Sequence, residues 1–406
     1  MFVDWRRANN RQIGVLGMTV QHKLRNDFEL AFGQSWPVWM GGLLIGLLNV
    51  LLFIYHQPWS TLDGALNWGD WILSKAGLIV SEPLSPLVRS GSVINLGLLG
   101  GAMLSAMLAG QFGLRAAPLH DLIKGAIGGT MIGAGAVLVR GCNIGGFFNG
   151  TSALGLHGLA MGLGLVIGAL IGTRFLLWQI GGASTADESL KPILKRRGLA
   201  SPRRQRMWGL VLALLLVGSV LSYLFSITPD RGVILIFGIL LGIVCQRSRL
   251  CFVRAFREPF LTGDASHTKA MLIALLISLA GFSIVKYTLL ERVDEFVRAT
   301  YWMGALSGGV IFGAGMTIAG GCGAGAVWRA GEGHLTLWLT LICYALSSSF
   351  FNVLLQTSGL MQRLGQPIFL PDIIGWGWAT IALLAMIVIW YLLVQSNEIS
   401  RKWAAI

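Results

Sequence analysis

The residues with the most chemistry to offer are five cysteines: Cys142, Cys245, Cys251, Cys322 and Cys343. All lie inside or at the ends of apolar stretches. Two of them close a repeated pattern. Residues 128–142 read GGTMIGAGAVLVRGC and residues 308–322 read GGVIFGAGMTIAGGC. At one constant offset, Gly128, Gly129, Gly133, Ala134, Gly135, Gly141 and Cys142 match Gly308, Gly309, Gly313, Ala314, Gly315, Gly321 and Cys322. Gly145 and Gly325 extend the match, and after a short gap His157 falls opposite His334. The match includes cysteines and irregular glycine spacing, so shared composition does not explain it.

A third thiol, Cys251, sits in CQRSRLCFVRAFRE (245–258) among Arg247, Arg249, Arg254 and Arg257. The preceding GILLG (238–242) resembles GLLIG (42–46), but the stretch after Asn49 carries neither cysteine nor arginine cluster. The symmetry is therefore incomplete, and the second half holds more of the candidate site.

Three chemistries compete for such thiols. Soft thiolates favour Cu(I) or zinc, yet a cation site should not be ringed by arginines, and no Met or His cluster stands nearby. A redox relay normally uses CxxC, which is absent. An odd, membrane-embedded set is also a poor disulfide framework. A soft, sulfur-containing anion fits best. Thiols offer weak S–H donors and polarizable surface, arginine neutralises charge, and weak repeated contacts let a solute leave as readily as it enters.

The sequence after each GC pair, NIGGFFNGTSALG and GAGAVWRAGEG, is rich in glycine. A helix should break at Gly141 and Gly321 and restart as a short second helix, whose free N–H groups suit an anion. Broken backbone at membrane depth must be buried in protein or line a cavity. Arg140 then acts as an interfacial anchor or an anion guide. Arg329 and Glu332 are spaced to form a loop ion pair, with Cys245 and Arg247 as secondary members of the path. Cys343 reads as a packing residue, and His157 and His334 as helix-end residues.

Such elements need a scaffold, and the composition says which kind. Of 406 residues, 54% are apolar and only 12% charged, against about a quarter charged in a soluble domain. A soluble fold cannot cover its surface with so few charges. That excludes a soluble enzyme, a disordered chain and a nucleic-acid binder. The +13 net charge sits largely in short loops beside apolar stretches, where it orients a membrane protein. Ten spans of sufficient length are expected at 36–56, 91–113, 120–140, 158–180, 207–226, 232–250, 267–287, 303–320, 334–356 and 372–395. Segment 67–80 is too short and polar to span, and is expected at the interface.

The expected organisation is a lead-in (1–35), a first membrane repeat (36–180), a basic linker (181–206), a second repeat with extra helices (207–395) and a tail (396–406). The linker carries Lys191, Lys195, Arg196, Arg197, Arg203, Arg204 and Arg206. It and both termini are expected in the cytoplasm, and the acidic loop 288–302 outside. The copy at 120–140 then runs outward and that at 303–320 inward. The fold class is an all-α polytopic membrane protein, an inverted repeat with broken, re-entrant half-helices near the membrane centre, as in many secondary transporters.

At GILLGIVCQRSRLCFVRAFRE, GGVIFGAGMTIAGGCGAGAVWRAGEG and GGTMIGAGAVLVRGCNIGGFFNG the chain resembles the YeeE/YedE family of bacterial inner-membrane proteins, whose members include thiosulfate transporters. The cysteine-poor half comes first, which looks like the YedE branch, associated with sulfur or selenium metabolism. The resemblance implies that Cys142, Cys251 and Cys322 pass the ion inward through successive thiol contacts. It implies no enzyme activity, catalytic residue, metal or cofactor. The partners it implies are a small sulfur-containing anion, membrane lipid and a cytoplasmic TusA-like sulfur carrier protein. The alternatives are a selenium- or other sulfur-compound transporter of the same fold, a membrane sulfurtransferase using a Cys251 persulfide, and a non-transporting anchor for the carrier. One departure from the repeat is Arg140, which stands where the second copy has Gly320.

Overall fold

The computed structural model describes residues 32–79, 82–183, 201–226, 228–288, 302–360, 367–401 and 403. The first 31 residues, linker residues Lys191 to Arg197 and loop 289–301 lie outside the described residues. The helices are α1 (Val38–Tyr55), α2 (Leu62–Lys75), α3 (Ser90–Leu108) and α4 (Leu119–Val139). A π-wound turn (Asn143–Phe148) leads into the short α5 (Asn149–Ser152), then α6 (Leu156–Ala183) and α7 (Pro202–Leu224). The second half continues with α8 (Pro229–Ser248), α9 (Phe252–Leu261), α10 (Ser266–Thr288), α11 (Trp302–Ala319), α12 (Gly323–Gly331), α13 (Leu335–Thr357), α14 (Leu370–Ile374) and α15 (Trp376–Ser400). Ten helical stretches are long and apolar enough to cross a bilayer, and no strand forms among the described residues.

The two halves are copies. The series α1 to α6 corresponds to α8 to α13, and each half packs mainly on the other. Helix α11 lies on α6 as α13 lies on α4, and α3 lies on α8 as α10 lies on α1. Glycines make these approaches close. A Cβ at Gly135 would fall 2.5 Å from the Gly308 carbonyl oxygen, and one at Gly308 2.7 Å from that of Gly135. Gly128 and Gly315 meet in the same reciprocal way, at 2.6 and 2.9 Å. Low numbers on α4 thus meet high numbers on α11, so the helices cross antiparallel about a pseudo-two-fold axis. The repeat is inverted, and small residues hold it together because helices in lipid associate by close packing.

Helices α7 and α15 stand outside this symmetric unit. The first packs on α3 and α8, the second on α10 and α14. Most of their surface is exposed, as expected of helices bathed in lipid.

The bundle has two distinguishable ends. At one, the Trp36 amide donates to the Arg247 carbonyl (2.9 Å) and the Arg115 amide to that of Gly333 (2.9 Å). At the other, the Tyr55 hydroxyl donates to Asp230 (2.9 Å) and the Lys286 ammonium to the Ala153 carbonyl (3.1 Å). They are called below the Glu332 end and the Tyr55 end.

Segment 67–80 begins inside the bundle and ends on its surface, where Trp71, Ile72 and Leu78 are exposed. Residues 62–75 are the re-entrant helix α2, with Leu62, Gly64, Ala65, Asn67 and Gly69 buried against α3 and α13. Its polar residues are satisfied internally: the Asn67 amide donates to the Leu84 carbonyl (2.8 Å) and accepts from Ser92 (2.6 Å). Polarity therefore did not mean exposure.

Candidate functional site

Four short helices begin inside the bundle, and the residue before each first turn carries a thiol or a hydroxyl. Cys142 caps the π-turn, Cys322 caps α12, Cys251 precedes α9 and Thr61 precedes α2. Helix α4 stops because Arg140 adopts the left-handed conformation (φ 57°), and α11 because Gly320 does (φ 67°). Gly141 and Gly321 follow, buried and without room for a side chain. A Cβ would fall 2.8 Å from the Gly146 Cα in the first case and 2.7 Å from the Leu337 side chain in the second.

The two caps share one geometry. The Cys142 sulfur accepts from the Gly145 amide at 3.5 Å, and the Cys322 sulfur from the Gly325 amide at 3.3 Å. The first amides of each short helix have no helical acceptor. Each tip therefore presents a sulfur beside N–H groups at the positive end of a helix dipole.

The tips converge. Cys142, Cys251 and Cys322 are fully buried, and the Cys322 thiol is an electrostatic neighbour of both others. Cys245 neighbours Cys322 and Cys251. The Ser60 hydroxyl lies 3.8 Å from the Cys142 sulfur. The space beside Gly323 is bounded by the Thr61 hydroxyl and the Tyr344 ring. Asn143 turns its amide toward the Cys322 sulfur, while its side-chain oxygen and the Trp59 indole N–H find no hydrogen-bond partner. Buried polar groups are normally satisfied. Polar atoms left over beside three thiols can hydrogen-bond a small solute.

Sequence reasoning missed Ser60, Thr61, Asn143 and Tyr344. An asparagine web holds the first two in place. The Asn149 amide donates to the Trp59 carbonyl (2.6 Å), the Asn49 amide to Asn149 (2.8 Å), and the Asn95 amide to the Thr61 carbonyl (3.0 Å). A signal was available: Ser60-Thr61-Leu62-Asp63 is a helix start with an acid in its first turn.

A small cleft of about 20 Å³ at the Tyr55 end is lined by His56, Gln57, Trp59, Ser60 and Asp63 among others. The Glu332 end is built differently. Glu332 is fully buried, pairs with Arg249 at 2.8 Å and accepts from the Gln246 amide at 2.9 Å. Arg249 also donates to Gln111 (2.9 Å), and Gln246 accepts from Ser105 (2.7 Å). Burial favours the protonated Glu332 carboxyl, but His334, Gln246 and the Arg249 charge outweigh it and hold its pKa below the ordinary value.

The predicted loop pair is thereby corrected. Arg329 does not pair with Glu332; it donates to the Gly320 carbonyl at 2.9 Å and closes the break before Cys322. Glu332 takes Arg249 because α8 ends, in the left-handed Arg249, beside the end of α12. Arg247 is buried and donates to the Gln34 carbonyl. Arg254 leans along its own helix to Glu258 at 3.6 Å and is partly exposed. Arg140 is exposed on the outside of its turn. Cys343 packs near Gly129 on α13. The structure thus gathers Cys142, Cys251, Cys322 and Cys245, with Gly141 and Gly321 shaping the turns, and places the arginines around them rather than among them.

A profile of the sulphur transport family matches residues 3–171 and 247–405, the two arms of the repeat. The chain is 30% identical over 322 residues to a probable transporter, YedE, of Escherichia coli K12, covering 75% of this chain and 78% of that protein. It is 28% identical over 329 residues to the Salmonella typhimurium protein of the same name, covering 76% and 80%. Over 131 residues it is 37% identical to the thiosulfate transporter TsuA of Escherichia coli K12, covering 32% of this chain and 36% of that protein.

Proposed function

The chain belongs to the sulphur transport family, and from that premise we propose that it takes up a sulfur-containing oxyanion, thiosulfate foremost, across a bacterial inner membrane. The observation that carries this reading is the meeting of three buried thiols, each at the start of a broken half-helix, with unpartnered polar atoms beside them. A dianion in hydrocarbon is costly, so its path must be lined with donors. Amides at the helix starts and S–H groups supply them without binding so tightly that release stalls.

The anion enters at the Tyr55 end, where the cleft reaches Ser60 beside Cys142. It passes Cys142, Cys322 and Cys251 by weak S–H contacts, with no covalent step, and leaves at the Glu332 end. That end carries the first and last described helix termini of the bundle, and in this reading it faces the cytoplasm, as the basic flanks of the spans favour. A TusA-like carrier would meet the anion there. Nothing in this path requires a cofactor, and no residue acts as a catalyst.

The test is flux into liposomes containing the purified protein alone. Radiolabelled thiosulfate should enter, sulfate should not, and selenium oxyanions measure how far the path discriminates. Thiosulfate entry no faster than into empty liposomes would remove the proposal in favour of an anchor or a sulfurtransferase. A sulfane adduct on Cys251 during turnover would favour the sulfurtransferase.

A further inference from the structure

A charge pair with a buried carboxylate stands close in sequence to two of the thiols. Glu332 ends the short helix that Cys322 begins, and Arg249 stands two residues before Cys251. One partner of this ion pair is thus two residues from a thiol of the path, and the other is joined to a second thiol by the length of α12. We propose that the Arg249–Glu332 pair is the inner gate of that path, and that Arg249 is its last anion station. The guanidinium leaves the carboxylate for the arriving dianion and pairs with Glu332 again after release.

This inference rests on the transport reading above and adds to it a closed state and a residue that opens it. Four observations support it. First, a fully buried carboxylate survives only while paired and hydrogen-bonded, and Arg249, Gln246 and His334 supply that. Second, a dianion offers the same planar donors more charge than a carboxylate does, so exchange between them is chemically matched. Third, the Arg249 side chain remains one-third exposed, so its hold on Glu332 can be contested from the inner face. Fourth, the mirror position is built differently: helix α1 ends at Tyr55, whose hydroxyl donates to Asp230, and leads to His56 beside a small cleft. The two ends therefore differ in what closes them, as unequal exposure of a central site requires.

The thiols themselves report on the gate. Sealed vesicles are treated with a charged, membrane-impermeant methanethiosulfonate from the Glu332 end, and modification of Cys322 and Cys251 is followed by peptide mass spectrometry. Wild type should react slowly. Glu332→Gln, which keeps the shape but removes the charge, should react at least about tenfold faster. Arg249→Lys, which keeps the charge but loses the fork to Gln111, should fall between them. Tyr55→Phe, which breaks a contact at the opposite end, should match wild type. Equal rates in wild type, Glu332→Gln and Arg249→Lys, all monodisperse, would overturn the gate. Thiosulfate flux is measured on the same vesicles. Absent flux with a fast Glu332→Gln overturns the transport reading and leaves the latch standing; normal flux with equal labelling does the reverse.

Discussion

The two halves of this molecule share a backbone plan and differ in what they place at its centre. In the first half the re-entrant tips carry Ser60, Thr61 and Cys142, set by the neutral web of Asn49, Asn95 and Asn149. In the second they carry Cys251 and Cys322, backed by Arg249 and Glu332. A symmetric scaffold brings four helix starts to one place. The departures from symmetry make the two ends unequal: a small cleft lined by His56, Ser60 and Asp63 lies at one, and the Arg249–Glu332 pair lies at the other. Inverted repeats supply alternative exposures of one site, and unequal ends determine which exposure is favoured.

The comparison can be tested at several strengths. The largest effects should come from the shared scaffold. Gly135→Leu and its mirror Gly315→Leu each push a side chain into the opposing helix backbone, and each should cost about 3 kcal/mol of stability, read as a lowered Tm in detergent. Equal losses would support the symmetry; a loss in one alone would break it.

Next come the tips. Cys251→Thr makes the second half resemble the first and should lower uptake at least about tenfold, because a hydroxyl lacks the polarizable surface of sulfur. Thr61→Cys makes the first half resemble the second and should leave uptake within about twofold. Reversal of that order would move the centre of the path into the first half.

A smaller effect concerns pH. The Glu332 pKa lies below the ordinary value of 4.5 in the folded protein. Its contribution to stability is therefore present above that pH and is lost as pH falls through the depressed value. The difference in Tm between wild type and Glu332→Gln should stay level from neutral pH to about 5 and shrink only in stronger acid. A difference that shrinks near neutral pH would mean that the carboxylate is not held by its cationic neighbours.

The smallest effect is at Arg140, whose left-handed backbone is matched by Gly320 in the other copy. Arg140→Gly should raise stability by up to about 1 kcal/mol, and any fall in uptake in the same variant measures its share in guiding the anion.

Much of this was legible in the sequence. The glycine spacing before Cys142 and Cys322 announced both breaks, since only small residues permit the α4–α11 crossing. Apolar run lengths gave the ten spans. What escaped was the first re-entrant helix. Asn67 and Asp70 make α2 look like surface, whereas the fold satisfies Asn67 against Ser92 and Asp70 against Ser349. The partner of Glu332 also escaped, because the nearest arginine in sequence, Arg329, is spent on the Gly320 carbonyl. Sequence spacing finds neighbours on one helix, but Arg249 reaches Glu332 across 83 positions.

The central claim is that a solute passes among the thiols of both halves, and uptake by cysteine variants tests it most directly. Purified Cys142→Ala, Cys322→Ala and Cys343→Ala proteins are placed in liposomes and given radiolabelled thiosulfate. The first two should lose at least about nine-tenths of the wild-type rate, while Cys343→Ala, altered outside the cluster, should keep it. Wild-type rates in both Cys142→Ala and Cys322→Ala would contradict the path drawn here.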